Sequence, residues 1–201
     1  KSLKAFIEEV STEIGHLSDE RMEVLDEIRD YLVEEERNEG QVALNFICTH
    51  NSRRSHMSQI WAQTAAEYYS VPNVYCYSGG TEATAFNPRS VRAIREFGFK
   101  VDQIDDSNNP IYHVYFSVNK EPLKCFSKTY DDDFNPKKDF AAIMTCSHAD
   151  ENCPVVFGAD KRFPIKYDDP KEYDGTDLEE QKYSERFEQI GIEMIYAFSK
   201  V

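Results

Sequence analysis

Eight consecutive residues, Cys48-Thr49-His50-Asn51-Ser52-Arg53-Arg54-Ser55, concentrate the chemistry of this chain. A cysteine is followed, after five intervening residues, by an arginine and then a serine. The segment lies after Val42–Ile47, a nearly continuous apolar run of the kind found in strands buried on both faces of a parallel sheet. It precedes a helical pattern in which Met57, Ile60, Trp61, Thr64 and Tyr68 recur on one side. In such a strand–loop–helix unit, ligands bind beyond the carboxyl end of the strand. The backbone amides of Thr49, His50, Asn51, Ser52, Arg53, Arg54 and Ser55, the helix N-terminus and the Arg54 guanidinium can all converge on a tetrahedral oxyanion. The same positive surroundings favour the thiolate, the nucleophilic form of Cys48. Ser55 is placed to give that thiolate a hydrogen bond.

A second constellation follows. Cys146 stands at the end of another apolar run, Phe140–Thr145, with Cys153 seven positions later in MTCSHADENCP. Asp169 lies sixteen residues beyond, immediately before Pro170. Five cysteines, an odd number and widely spread, do not make the dense framework of a secreted disulfide scaffold. A reducing, cytoplasmic compartment is expected, where cysteines serve as nucleophiles, redox groups or metal ligands. Cys76 and Cys125 read as small buried hydrophobes. His148 beside Cys146 and Cys153 offers three metal-ligand side chains without a fourth, so neither a metal nor a cofactor is expected.

The elements that position these residues are visible in the pattern. Residues 1–40 read as two amphipathic helices, one carrying Leu3, Phe6, Ile7, Val10 and Ile14, the other running from an N-cap at Ser18 through Met22, Leu25, Ile28 and Leu32 to Gly40. They form a hairpin that packs on the domain or on a second subunit. Asn73–Ser78 is a second strand, and Asn87-Pro88 opens a helix that Gly98 closes. Strands are further expected at residues 111–117, 140–145 and near 163–167, with residues 118–137 as a surface insertion. A capping box from Thr176 to Glu179 starts a last helix with Tyr183, Phe187, Ile190, Met194 and Phe198 inward. The reading is an α/β fold: a parallel sheet of four to five strands with helices on both faces, residues 41–201, behind an N-terminal helical hairpin, residues 1–40.

The 201 residues carry a formal charge of −14, and residues 1–40 account for −8 of it. Such a balance argues against a nucleic-acid surface, and no stretch approaches the roughly 20 apolar residues of a membrane span. Residues 1–40 do not look like a leader. An anion bound here must be held by a local positive potential, because the global field repels it.

The Cys48–Ser55 loop, continued through Ser78-Gly-Gly-Thr-Glu82 and Asn87-Pro88, resembles the low-molecular-weight protein tyrosine phosphatase family over roughly residues 42–200. The added pair Cys146 and Cys153 is similar to the thioredoxin-coupled arsenate reductase branch. The resemblance implies a relay. Cys48 attacks arsenate held by the loop and Arg54, and Asp169 protonates the leaving oxygen. Cys146 then attacks Cys48, and Cys153 attacks Cys146, leaving a disulfide for thioredoxin to reduce. A phosphatase acting through a Cys48 phosphocysteine needs only Cys48, Arg54 and Asp169 and is the second reading. An oxyanion-binding or redox-sensing module is the third. Three positions depart from the family. His50 stands at a usual glycine, where positive φ is expected. Arg53 replaces a frequent cysteine and either adds charge near the anion or, as is expected, points to solvent, and Gln59 replaces a frequent Glu.

Overall fold

The computed structural model describes residues 2–37, 40–153 and 155–201. Four parallel strands form the main sheet: β1 (Val42–Cys48), β2 (Val74–Gly80), β6 (Phe140–Met144) and β7 (Ala159–Pro164), in the order β2-β1-β6-β7. The chain leaves β1 for β2 on one side, and β6 lies on the other. The carboxyl end of β1 is therefore the switch point of the sheet, where a crevice opens for ligand. Cys48 is the last residue of β1.

Alternation along the strands assigns two faces. Leu44, Phe46, Ala141 and Ile143 join the large core. Ile47, Phe140, Ala142 and Met144 form a second cluster with Cys48, Cys146, Ala149 and Val156. Above the large core lie α3 (Arg54–Tyr68) and α6 (Glu179–Phe198), which meet where Gly191 lets the Trp61 ring approach. A Cβ on Gly191 would stand 2.7 Å from that ring. Helices α1 (Leu3–Glu13), α2 (Asp19–Arg37) and α4 (Pro88–Glu96) pack around α6. The opposite face is covered by the short α5 (Ser147–Asn152) and by chain around Tyr130.

Capping agrees with the sequence. Ser18 accepts from the Arg21 amide, and Asn87 accepts from the Arg89 amide with Pro88 in the first turn. Helix α2 runs to Arg37, short of the end expected at Gly40, and the Gly40 amide donates back to the Glu35 carbonyl at 3.3 Å. At α6, Thr176 accepts from the Leu178 amide while Glu179 reaches back to the Gly175 amide. The reciprocal contacts thus reach one residue earlier than a capping box requires.

Three expectations change. The strand predicted at 111–117 is β4 (Tyr112–Tyr115). It pairs antiparallel with β3 (Lys100–Gln103) and β5 (Leu123–Cys125) in a separate three-stranded sheet. Its Tyr-His-Val-Tyr alternation, half buried rather than continuously apolar, is the signature of that environment. The last parallel strand lies at 159–164, a few residues before the expected 163–167. Of the predicted surface insertion 118–137, Ser127, Lys128 and Asn135 are buried. Thr129 bridges in parallel to Gly80, which carries this segment against the end of β2.

Helix α2 is tied to the sheet by charge as well as packing. Arg21 forms a bidentate pair with Glu193 of α6 at 2.8 Å and also donates to the Ile165 carbonyl. Tyr167 donates to the same carboxylate at 2.6 Å. No helix among the described residues is long and apolar enough to cross a membrane.

Candidate active site

The loop from Cys48 to Arg54 is held by its carbonyls. The Cys48 carbonyl accepts from the Thr81 amide at 3.0 Å, and Thr49 accepts from Glu82 at 2.8 Å. His50 accepts from the Ser127 hydroxyl at 2.8 Å, and Ser52 from the Asn87 amide at 2.9 Å. In a trans peptide, C=O and the following N–H point in opposite directions. The amides of Thr49, His50, Asn51 and Arg53 are thereby turned away from the scaffold, toward the inside of the loop. The result is a concavity lined by backbone amides and closed by the N-terminus of α3, a geometry suited to an anion.

Cys48 is buried, 4% exposed, with its Sγ 3.0 Å from Ser55 Oγ. The Asn51 side-chain amide donates to that hydroxyl at 2.9 Å, and its oxygen accepts from the Lys128 amide at 3.0 Å. The amide can only donate at its nitrogen, so the hydroxyl proton of Ser55 is free for Cys48. The three side chains make a directed chain of hydrogen bonds that ends at the Cys48 sulfur. Asn51, rather than His50, adopts positive φ, +45°. Asparagine accepts this conformation more readily than most residues, and the His50 side chain is left partly exposed, 3.7 Å from Glu82.

Arg53 does not point to solvent. It is 8% exposed and grips Asp169 with two contacts, Nε–Oδ1 at 2.7 Å and Nη2–Oδ2 at 3.2 Å. Arg54 donates to Asp169 Oδ2 at 2.8 Å and to the Tyr167 carbonyl at 2.8 Å. Burial raises the Asp169 carboxyl, but Arg53 and Arg54 outweigh it and hold the group below its ordinary value. Asp169 also caps the turn Pro170–Tyr173 by accepting from the Lys171 amide.

Behind the loop lies a buried polar network that the sequence reading missed. Ser78 donates to Gln59 at 2.7 Å, so its oxygen is left to accept from His56 Nδ1, 3.1 Å away. His56 is fully buried, and that burial pushes its imidazole well below its ordinary value. Gln59 also donates to the Cys76 carbonyl, and Asn135 donates to the Ser78 carbonyl. Lys128, lowered to about 8 by burial, lies 4.6 Å from the centre of the Phe126 ring. Cys76 and Cys125 are buried, and burial alone pushes the Cys76 thiol upward. Burial also raises Cys125 to about 12, against the opposing charge of Lys128.

Cys146 is 1% exposed, and its Sγ lies 3.6 Å from the Thr49 hydroxyl. It accepts from the Ala149 amide at 3.3 Å as the N-cap of α5. His148 is 3.2 Å from the same Thr49 hydroxyl. Cys153, just past α5, is partly exposed, and its thiol is 3.5 Å from the Val155 carbonyl. No cluster of metal-ligating side chains occurs among the described residues.

No protein-family model matches the chain. It is 31% identical over 148 residues to the arsenate reductase of Bacillus subtilis, covering 73% of this chain and 87% of that one. It is 32% identical over 126 residues to arsenate reductase 2 of Staphylococcus epidermidis, covering 62% and 76%. Among solved structures, the low-molecular-weight protein tyrosine phosphatase of T. tengcongensis superposes with a TM-score of 0.54 at 16% identity, covering 80% of this chain and all of that one. The YwlE mutant of Bacillus subtilis gives 0.53 at 17% identity, covering 80% and 98%.

Proposed function

Since this chain belongs to the family of arsenate reductases built on the low-molecular-weight protein tyrosine phosphatase fold, we propose that it reduces arsenate through Cys48, Cys146 and Cys153. The family makes it an enzyme of arsenate reduction or phosphate-ester hydrolysis. The choice between them rests on one observation. A second thiol, Cys146, stands 3.6 Å from the Thr49 hydroxyl within the apolar cluster that contains Cys48, with a third thiol one short helix beyond.

The loop amides and Arg54 receive the oxyanion, and the Cys48 thiolate attacks arsenic. An S–As bond forms and an As–O bond breaks, the oxygen leaving as water through Asp169. Cys146 then attacks the Cys48 sulfur. The S–As bond breaks, its electron pair stays on arsenic, and arsenite leaves as a Cys48–Cys146 disulfide forms. Cys153 displaces Cys48 from that disulfide, and a dithiol of the thioredoxin class reduces the Cys146–Cys153 pair.

The last exchange requires motion. Seven residues of helix rise about 10 Å at 1.5 Å each, whereas disulfide-bonded Cα atoms lie about 5.5–6 Å apart. Helix α5 must open for Cys153 to reach Cys146. Its anchors are Asp150, paired with Arg162 and Lys166, and the Asn152 contact to the His148 carbonyl. Arsenate turnover should be seen with thioredoxin, thioredoxin reductase and NADPH. Hydrolysis of aryl phosphates without any arsenate turnover would assign the site to the phosphatase chemistry instead.

A further inference from the structure

The salt bridge between Arg53 and Asp169 bears on which substrates the site accepts. Asp169 faces Arg53 from the loop, Arg54 from the start of α3, and the Lys171 amide of its own turn. From α6 the nearby Tyr183 commits its hydroxyl to Asp174 at 2.9 Å. The neighbouring Asp168 turns outward to Arg186. An oxyanion entering the loop competes for Arg54. Arg53 holds Asp169 through two contacts of its own, one to each carboxylate oxygen. Asp169 is thus paired with two cations, and giving up Arg54 to an oxyanion would still leave it the Arg53 pair.

We propose that Arg53 is a specificity-determining positioning residue, one that holds Asp169 as a carboxylate and so suits the site to an oxyacid carrying its own proton rather than to a phosphate ester. The proposal deepens the reading of this site as an arsenate reductase and rests on it. The proton balance gives the reason. Thiolate and dihydrogen arsenate yield the S–AsO3 adduct and one water with no proton from elsewhere. The Asp169 carboxylate need only take a proton from one arsenate oxygen and give it to the leaving one. Thiolate and an aryl phosphate dianion yield the S–PO3 adduct and a phenol only if one proton is supplied. That proton must already be on Asp169, and Arg53 opposes its being there.

The test is the pH dependence of aryl phosphate hydrolysis, set beside single-turnover arsenate reduction, in the wild type, Arg53→Gln and Arg53→Lys. General-acid catalysis is lost as pH rises through the acid's pKa in the complex. In Arg53→Gln the descending limb should move upward by about one pH unit. At pH 7 the ratio of ester hydrolysis to arsenate reduction should then rise about tenfold, since one unit of pKa is tenfold in protonated fraction. Arg53→Lys keeps the charge without the fork and should move the limb less; it carries the test if the glutamine variant does not fold. An unmoved limb, or a parallel fall of both activities, would overturn the proposal. A wild type that hydrolyses esters and never reduces arsenate would instead overturn the underlying function, whatever the limb does.

Discussion

Asp168 and Asp169 are adjacent and chemically identical, yet they meet opposite surroundings. The Asp168 side chain is 94% exposed, 3.4 Å from Arg186, whereas that of Asp169 is 22% exposed between two guanidinium groups. Asp169→Asn should lower arsenate and aryl phosphate turnover by about a hundredfold or more, the scale of a positioned proton-transfer group. Asp168→Asn, which removes a solvent-screened pair, should change little. Equal effects in steady-state rates would remove Asp169 from its role. The arginine pairing also sets a direction for acid stability. The folded carboxyl lies below its unfolded value of 3.8. The stabilisation it contributes is therefore present above that pH and is lost as pH falls through the folded value.

Among the elements, the end of β2 shapes the loop as much as β1 does. Gly80 packs so closely that a Cβ would stand 2.6 Å from the Thr49 carbonyl and 2.8 Å from the Asn51 amide. Gly80→Ala must therefore push the loop outward. It should cost about 1–3 kcal/mol in denaturant-measured stability, as overpacking does, and weaken inhibition by inorganic phosphate. Unchanged stability and phosphate affinity would contradict this account of the loop. Much of the loop could be read in the sequence because strand, Cys, Arg, Ser and helix are contiguous, as are Ser78-Gly79-Gly80. The Lys128–Asn51 contact could not be read, because it joins residues 77 positions apart through a segment whose Asp-rich composition suggests surface. The burial of Arg53 was hidden for the same reason. Its partner Asp169 is 116 positions away, and only the folded β7 exit brings the two together.

The whole molecule ties its acidic N-terminal helices to this site. Arg21 of α2 and Tyr167 share the buried carboxylate of Glu193, and the Tyr167 carbonyl receives Arg54. The chain from α2 to the loop is thus continuous through α6 and the β7 exit. Leaving Glu193 unpaired at this depth costs on the order of 3–5 kcal/mol, so the contact has structural weight. The fold class followed from alternating strand and helix patterns. The separate antiparallel sheet did not: β3 and β5 are only four and three residues long, too short for a period to register, so β4 read as one more strand of the parallel sheet. Against the net charge of −14, Arg53 and Arg54 set two cations against the one carboxylate of Asp169 beside the loop.

The relay from Cys48 to Cys146 is the central claim, and the Cys153→Ser protein tests it most directly. It should be treated with one equivalent of arsenate, its remaining thiols blocked, and its peptides mapped by mass spectrometry. The account predicts a two-hydrogen mass loss and one crosslinked pair, Cys48 with Cys146, formed as arsenite is released. Arsenite release without that crosslink, or a crosslink from Cys48 to Cys76 or Cys125, would contradict it.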